Sequence, residues 1–547
     1  MAAINSSKSS GRNGQSINAH GRLIGADRLL RQGYTGSGVT VAILDTGLWL
    51  GDDSITTDLY GRERVLAQIN AYRGTNTNHS SELVQGRPLT RVAIQPLDSK
   101  DVDSSSSEIA SSGRVTDTEL RRKRYSQATA TRAPVRQRTT RSPAADWNGH
   151  GTHLASIIAG SATSGGEHND RGLDSENLEV LGIAPNVDLV SIKAFNHDGV
   201  GSYSDVIRGL DFLLRAKDKF NIRIVNLSFS APPQSYYWDD PVNQAVMAVW
   251  QSGIVVVSSA GNTGPAPMTI GVPGNVPYII TVGAITDNHT PQKWNDDRIA
   301  SFSAAGPTVE AFIKPELVAP GGHIVGVMDD ASHKVARKRP HRRVGDRLYE
   351  VSGTSQAAAV VTGAAALLLE AKPWLSPDDV KCQLMSSADV LTKANTKELA
   401  YSVFQQGAGR INIYDAVMNN DLTGCANRGL DINLDLTGQQ HYQGPANMDD
   451  DGVFYVSTPD GKQADEDDDY NELRWDGTYI AVGKRLLFKN GLLWNDGLLW
   501  NDGLLWNDGL LWNDGLLWND GLLWNDALLW NDLSSQPAAI DSLVERE

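Results

Sequence analysis

The sequence is poor in cysteine, in aromatic residues and in long apolar runs, and each shortage excludes something. Cys382 and Cys425 are the only cysteines in 547 residues, too few for a disulfide framework. Two buried thiols are expected rather than the single bridge they could form. No run reaches the ~20 consecutive apolar residues that cross a bilayer, so no membrane span is expected. The first 22 residues are polar and lack the apolar stretch of a signal peptide. Either the protein stays in the cytoplasm, or the chain begins downstream of a targeting segment and is secreted. A basic surplus is missing too. The net charge is -16, and residues 446–547 hold 21 acidic against 6 basic residues, which leaves about -1 for everything before them. The acidity belongs to the C-terminal region and does not describe the ligands of the main domain.

With 40% hydrophobic residues the chain can build a large core, and its length predicts one large domain with appendages. "VTVAILDTG", "VDLVSIKAF", "IRIVNLSFS", "GIVVVSSAGN" and "YIITVGAIT" read as strands buried on both faces. Between them "GHGTHLASIIAG", "YSDVIRGLDFLLRAKD" and "DPVNQAVMAVWQSG" read as helices. The alternation predicts an α/β fold, a mostly parallel sheet with helices on both faces. Sites in such sheets lie at the carboxyl ends of strands, where Asp45 and Asn262 fall.

Two basic inserts interrupt the pattern, at about 75–145 and 331–347. The first holds nine Lys/Arg against two acids between Ser112 and Pro143, and the second contains "HKVARKRPHRR". Neither has interleaved aromatics or a recognisable nucleic-acid module, so solvated loops and no nucleic-acid partner are expected. Past residue 420 an acidic extension (421–485) precedes a hexapeptide repeat (486–533) and a short tail (534–547). Gly-Leu-Leu-Trp-Asn-Asp runs from Gly491 through seven copies, the last opening with Ala527, and they hold seven of the fourteen tryptophans. A six-residue period spreads leucines around every face of a helix, so short strands with Asn-Asp-Gly turns fit it better. A small β-solenoid, an attachment or self-assembly tail, and an expanded tract without fixed structure all remain open.

Four residues can carry chemistry together. Asp45 ends a strand in "ILDTG"; aspartic proteases also use Asp-Thr-Gly, but need two such carboxylates, and this chain has one. His150 opens a helix in "NGHGTHLAS". With His153 three residues on it has the spacing of a metal pair, yet no third ligand accompanies them, and no metal site is assigned. Asn262 sits in "SSAGN" at a strand end, where asparagine is ordinarily a turn former. Ser355 stands in "SGTSQAAAVVTGAAALL", where a hydroxyl can cap a helix or act as a nucleophile. Acyl transfer needs this set: a serine, an imidazole to take its proton, a carboxylate to orient the imidazole, and fixed N–H donors for the oxyanion. Asp before His before Ser is the subtilisin order.

By those four stretches the chain resembles the subtilases, the subtilisin-like serine proteases, over about residues 21–418, after a polar segment at 1–20. The resemblance implies a catalytic domain at 21–420 and hydrolysis of protein or peptide substrates through an acyl-enzyme. It implies Asp45, His150 and Ser355 as the triad and Asn262 as an oxyanion donor. Residues Asn226, Leu227, Ser228 and Phe229 would offer an edge strand to an extended substrate. Ser258, Ala260 and Gly261 would line the main side-chain pocket. No cofactor is required for the chemistry, although a structural calcium could sit in "GLDSENLEVLG" (172–182), as in many subtilases. Gln356 and Ala359 depart from the Met and Pro of many relatives. The stretch before Asp45 is too short for the family's inhibitory pro-domain, so a mature or truncated form is expected. An inactive scaffold and a transpeptidase or cyclase using the same acyl-enzyme are the alternatives.

Overall fold

The computed structural model describes residues 19–73, 142–161, 180–287, 297–393, 398–457, 473–477 and 537–540. In chain order the strands that matter are β1 (Thr40–Asp45), β2 (Val65–Asn70), β3 (Asp188–Lys193), β4 (Val200–Ser202), β5 (Ile222–Leu227), β6 (Phe229–Ser230), β7 (Val255–Ser259), β8 (Ile280–Thr286), β9 (Arg298–Ile299) and β10 (Leu317–Pro320). The main sheet runs β10-β8-β7-β5-β1-β3-β2, parallel throughout, with β9 antiparallel on β8. β1, β7 and β8 are buried along their whole length, which is why they read as continuous apolar runs.

From β1 the sheet grows through β3 on one side and β5 on the other. Such a reversal opens a crevice at the carboxyl ends of the two strands that part there. Asp45 ends β1, and Ser228 follows β5. The His150–Ala159 and Thr354–Ala371 helices pack against each other, and the second also covers β5, β7 and β8. Thr354–Ala371 is long and apolar enough to cross a membrane by composition, but it is the central core helix, 89% buried inside the protein.

The Tyr203–Phe220 helix starts from a Ser202/Asp205 capping box. In Pro241–Gln251, Asp240 caps the first turn and Pro241 needs no N–H there. These local signals agree with the sequence reading.

Two expectations change. The cysteines are bridged: Cys382 and Cys425 form a disulfide with their Cα atoms 5.4 Å apart. The Pro377–Ser386 helix turns Cys382 into the interior, facing a loop 43 residues later, a meeting that sequence spacing does not reveal. The second basic insert is also no free loop. It forms a short helix (Lys334–Lys338), a 3-10 turn and β12 (Arg343–Gly345), which pairs with β13 (Leu348–Val351); β13 in turn pairs with β11 (Ile324–Val327). Its basic groups find acids from elsewhere: Arg343 with Asp330 at 2.9 Å, Arg347 with Asp52 at 3.3 Å, and Lys334 with Asp198. The first basic insert, between residues 74 and 141, lies outside the described residues, as does the hexapeptide repeat.

The chain stays on the core past residue 420. Asp435 accepts hydrogen bonds from the hydroxyls of Tyr237 (2.6 Å) and Tyr278 (2.9 Å). β14 (Ala446–Met448) and β15 (Phe454–Val456) pair antiparallel, and buried Trp475 packs with Phe404 and Phe454. The last described strand is β16 (Pro537–Ile540).

Candidate active site

Asp45 and His150 meet directly. His150 Nδ1 lies 2.9 Å from Asp45 Oδ1 and 3.0 Å from Oδ2, with both side chains buried. A carboxylate on Nδ1 places the ring proton there and leaves the Nε2 lone pair for chemistry. Asp45 Oδ1 also accepts from the Thr46 backbone N–H (2.7 Å) and hydroxyl (3.2 Å). The helix start presses against the strand end: a Cβ on Gly151 would stand 2.4 Å from the Gly47 carbonyl oxygen and 3.1 Å from Asp45 Oδ1. Only glycine allows that approach.

Asp146 holds the start of the His150 helix. Its Oδ1 accepts from Thr46 Oγ1 (2.9 Å), Asn148 N (2.9 Å) and Gly149 N (2.8 Å); its Oδ2 accepts from Thr152 N (2.9 Å) and Oγ1 (2.7 Å). Those are donors that a helix start leaves unsatisfied. Burial works to raise the Asp146 carboxyl's pKa, but nearby His333 and these hydrogen bonds outweigh it and hold the group below its usual range. Lys193 Nζ braces the same turn by donating to the Thr46 and Ala145 carbonyls (2.7 and 3.0 Å). The second insert docks here too: the N–H groups of Lys334 and Val335 donate to the carbonyls of Trp147 and Asn148 (3.0 and 2.9 Å).

Ser355 stands against Ser228, past the end of β5, and Asn262 stands against Thr354. Ser355 lies in the first turn of its helix, its Oγ 3.4 Å from the Ser228 carbonyl oxygen. Ser228 Oγ in turn donates to the Ser355 carbonyl at 3.3 Å. Asn262 Oδ1 accepts from both the backbone N–H and the hydroxyl of Thr354, each at 2.9 Å. With the oxygen so engaged, the amide Nδ2 turns to the Gly353–Ser355 backbone, 3.3 Å from where a Gly353 Cβ would stand. An amide N–H held beside the first turn of a helix, where the helix end is positive, suits a developing anion.

Ser258 and Ala260 are buried at the end of β7. Gly261 follows with φ 110° and donates its N–H to Thr354 Oγ1 at 3.2 Å, so this wall is tied to the turn before Ser355. Asn226, Leu227, Ser228 and Phe229 are buried where β5 gives way to β6; Asn226 and Leu227 pair with β1 and β7 on both sides and, contrary to the sequence expectation, offer no edge.

His153 does not join His150 in a metal pair. It points to the other side, its Nε2 3.1 Å from the Tyr349 carbonyl oxygen, and burial pulls its pKa down from 6.5 to about 3. Among the described residues no group of three or more His, Cys, Asp or Glu could hold a metal ion. Most of the candidate calcium loop, residues 172–179, lies outside them. Sequence reasoning passed over Asp146, Thr46 and Thr354. An acidic residue just before a helix start was the available sign for Asp146.

A profile of the subtilase family matches residues 36–409. Over 278 residues the chain is 35% identical to the serine protease AprX of Bacillus subtilis (strain 168), an alignment covering 50% of this chain and 58% of that protein. It is 32% identical over 270 residues to subtilisin DY of Bacillus licheniformis, covering 49% of this chain and 77% of that one. A solved structure described as a cold adapted subtilisin-like serine proteinase superposes with a TM-score of 0.38 at 22% identity, covering 67% of this chain and 87% of that one.

Proposed function

The chain belongs to the subtilase family, and from that premise we propose that it is a serine endopeptidase with Asp45, His150 and Ser355 as its triad. The observation that carries the reading is the buried pairing of His150 Nδ1 with both carboxylate oxygens of Asp45. It holds the imidazole in the tautomer that can take a proton at Nε2. Ser355 Oγ passes its proton to His150 Nε2 as it bonds to the substrate carbonyl carbon. The carbonyl oxygen becomes an oxyanion held by Asn262 Nδ2 and the Ser355 backbone N–H. The C–N bond then breaks, and His150 returns the proton to the departing amine. Water attacks the acyl-enzyme with His150 again as base, releasing the acid and restoring Ser355. The chemistry draws on protein groups alone. Protein segments are the substrates, taken in extended form along the backbone of residues 228–230, past the end of β5.

Labelling with a serine-directed fluorophosphonate, followed by peptide mapping, tests this. The label should map to Ser355, and Ser355→Ala should lose both labelling and peptide hydrolysis. Hydrolysis that survives in Ser355→Ala refutes the assignment.

A further inference from the structure

Strands β4 (Val200–Ser202) and β6 (Phe229–Ser230) do not pair with each other. They stand one strand apart, and β16 (Pro537–Ile540) fills the space in the order β4-β16-β6, antiparallel to both neighbours. Pro537, Ala538 and Ala539 lie opposite Ser202, Gly201 and Val200; Ala539 and Ile540 lie opposite Ser230 and Phe229. A slot whose two walls carry unpaired backbone N–H and C=O groups favours one occupant, an extended segment that bonds to both sides. Proline is tolerated at the first position of such a strand. Small side chains suit the depth of the slot, since Ala538 is 0% exposed.

The direction of the tail matters. As β16 runs from Pro537 to Ile540 it moves along β6 from Ser230 to Phe229. The next residue of the wall is Ser228, whose carbonyl oxygen is 3.4 Å from Ser355 Oγ. The C-terminal segment therefore runs along the slot toward the nucleophile. Ser355 is 1% exposed and His150 0%.

We propose that Pro537–Ile540 is the chain's own occupant of its substrate groove, a strand that competes in cis with incoming protein segments. The proposal rests on the endopeptidase reading for the word substrate, but the occupancy itself can be tested without catalysis. It makes the groove selective for an extended segment with a small side chain where Ala538 lies. It also makes substrate binding weaker by the fraction of time the slot is filled, because apparent affinity scales with the open population.

The test uses the full-length protein carrying Ser355→Ala, so that nothing is cleaved. The probe is a fluorescein-labelled synthetic peptide with the sequence of residues 534–545. Its dissociation constant is measured on that protein and on two full-length derivatives that also carry Ala539→Pro or Ala538→Trp. The first removes a ladder N–H, and the second puts an indole where an alanine is fully buried. Both should release the tail, and the peptide should bind about tenfold or more tightly to each than to the parent, as expected when an intramolecular competitor is removed. Equal affinity for all three proteins overturns the proposal. Fluorophosphonate labelling of the protein with Ser355 restored reports on the catalytic reading separately. A tail-dependent change in peptide affinity without labelling would leave the occupant in place and remove the enzyme.

Discussion

The two walls of the crevice are built on different principles. The Asp45–His150 wall is ionic: Asp45, Asp146 and Lys193 are all buried, and backbone N–H groups, hydroxyls and carbonyls satisfy them. The Asn262–Ser355 wall is neutral, held by the two bonds from Thr354 to Asn262 and the exchange between Ser228 and Ser355. Charge on the first wall fixes one imidazole tautomer. In the proposed mechanism, dipoles on the second receive a charge that exists only during reaction. An ion held permanently there would favour the ground state, whereas fixed neutral donors favour the transition state.

The difference can be broken one wall at a time. The largest expected effect after loss of Ser355 is from Asp45→Asn, which keeps the shape but permits the wrong tautomer. A fall in kcat of about 10⁴ is expected on the scale of a serine-protease triad, measured with a small peptide ester or amide. A loss below tenfold would show that the ionic wall does not orient His150. Asn262→Ala comes next, with kcat lower by about 10²–10³ and KM nearly unchanged, a range set by subtilisin itself. If KM rises and kcat holds, the amide binds substrate rather than the oxyanion.

Asp146→Ala should act on stability. It strands the donors of Asn148, Gly149 and Thr152 and leaves the Thr46 hydroxyl only Asp45, at a cost on the order of 3–5 kcal/mol for a broken buried charge site. Thermal unfolding reads this out, and an unchanged Tm would mean that water replaces the carboxylate.

Acid should weaken the same wall first. His153 titrates at about 3 in the folded protein against 6.5 ordinarily, so below pH 6.5 the unfolded chain takes up a proton that the folded one refuses. Stability falls as pH drops from 6.5 toward 3, by on the order of 1 kcal/mol per pH unit. The depressed Asp146 carboxyl adds a second loss once pH passes below 3.8. His153→Gln should reduce, and not abolish, the loss between pH 7 and 5 in denaturant titrations, because burial also lowers His20 to about 4; an unchanged slope would take His153 out of the account. The smallest effect is from Thr354→Val, which removes one of the two bonds to Asn262 Oδ1 and the acceptor of the Gly261 N–H. A loss in kcat of about fivefold is expected for the roughly 1 kcal/mol of the bond to Asn262.

Strand and helix identity was legible because it is local. β1, β3, β5, β7 and β8 announced themselves as apolar runs, and the capping residues at Ser202 and Asp240 marked two helix starts. The four proposed site residues were legible as candidates, since a triad requires fixed residue types in a fixed chain order and their flanking motifs lie at strand and helix ends. A sequence also determines how many charges a segment carries, and so the second basic insert looked like a solvated loop.

What covers, braces or fills the site depended on tertiary structure. Of the acids that pair with the insert, Asp52 and Asp198 come from distant segments and Asp330 stands just before it. The partner of Cys382 lies 43 residues away. β16 is four residues of ordinary composition whose meaning comes only from the two walls beside it, one around residue 201 and one around residue 230. Local periodicity encodes which face of an element is buried. It does not encode which distant backbone stands one strand-width away, and that spacing decides what enters the groove.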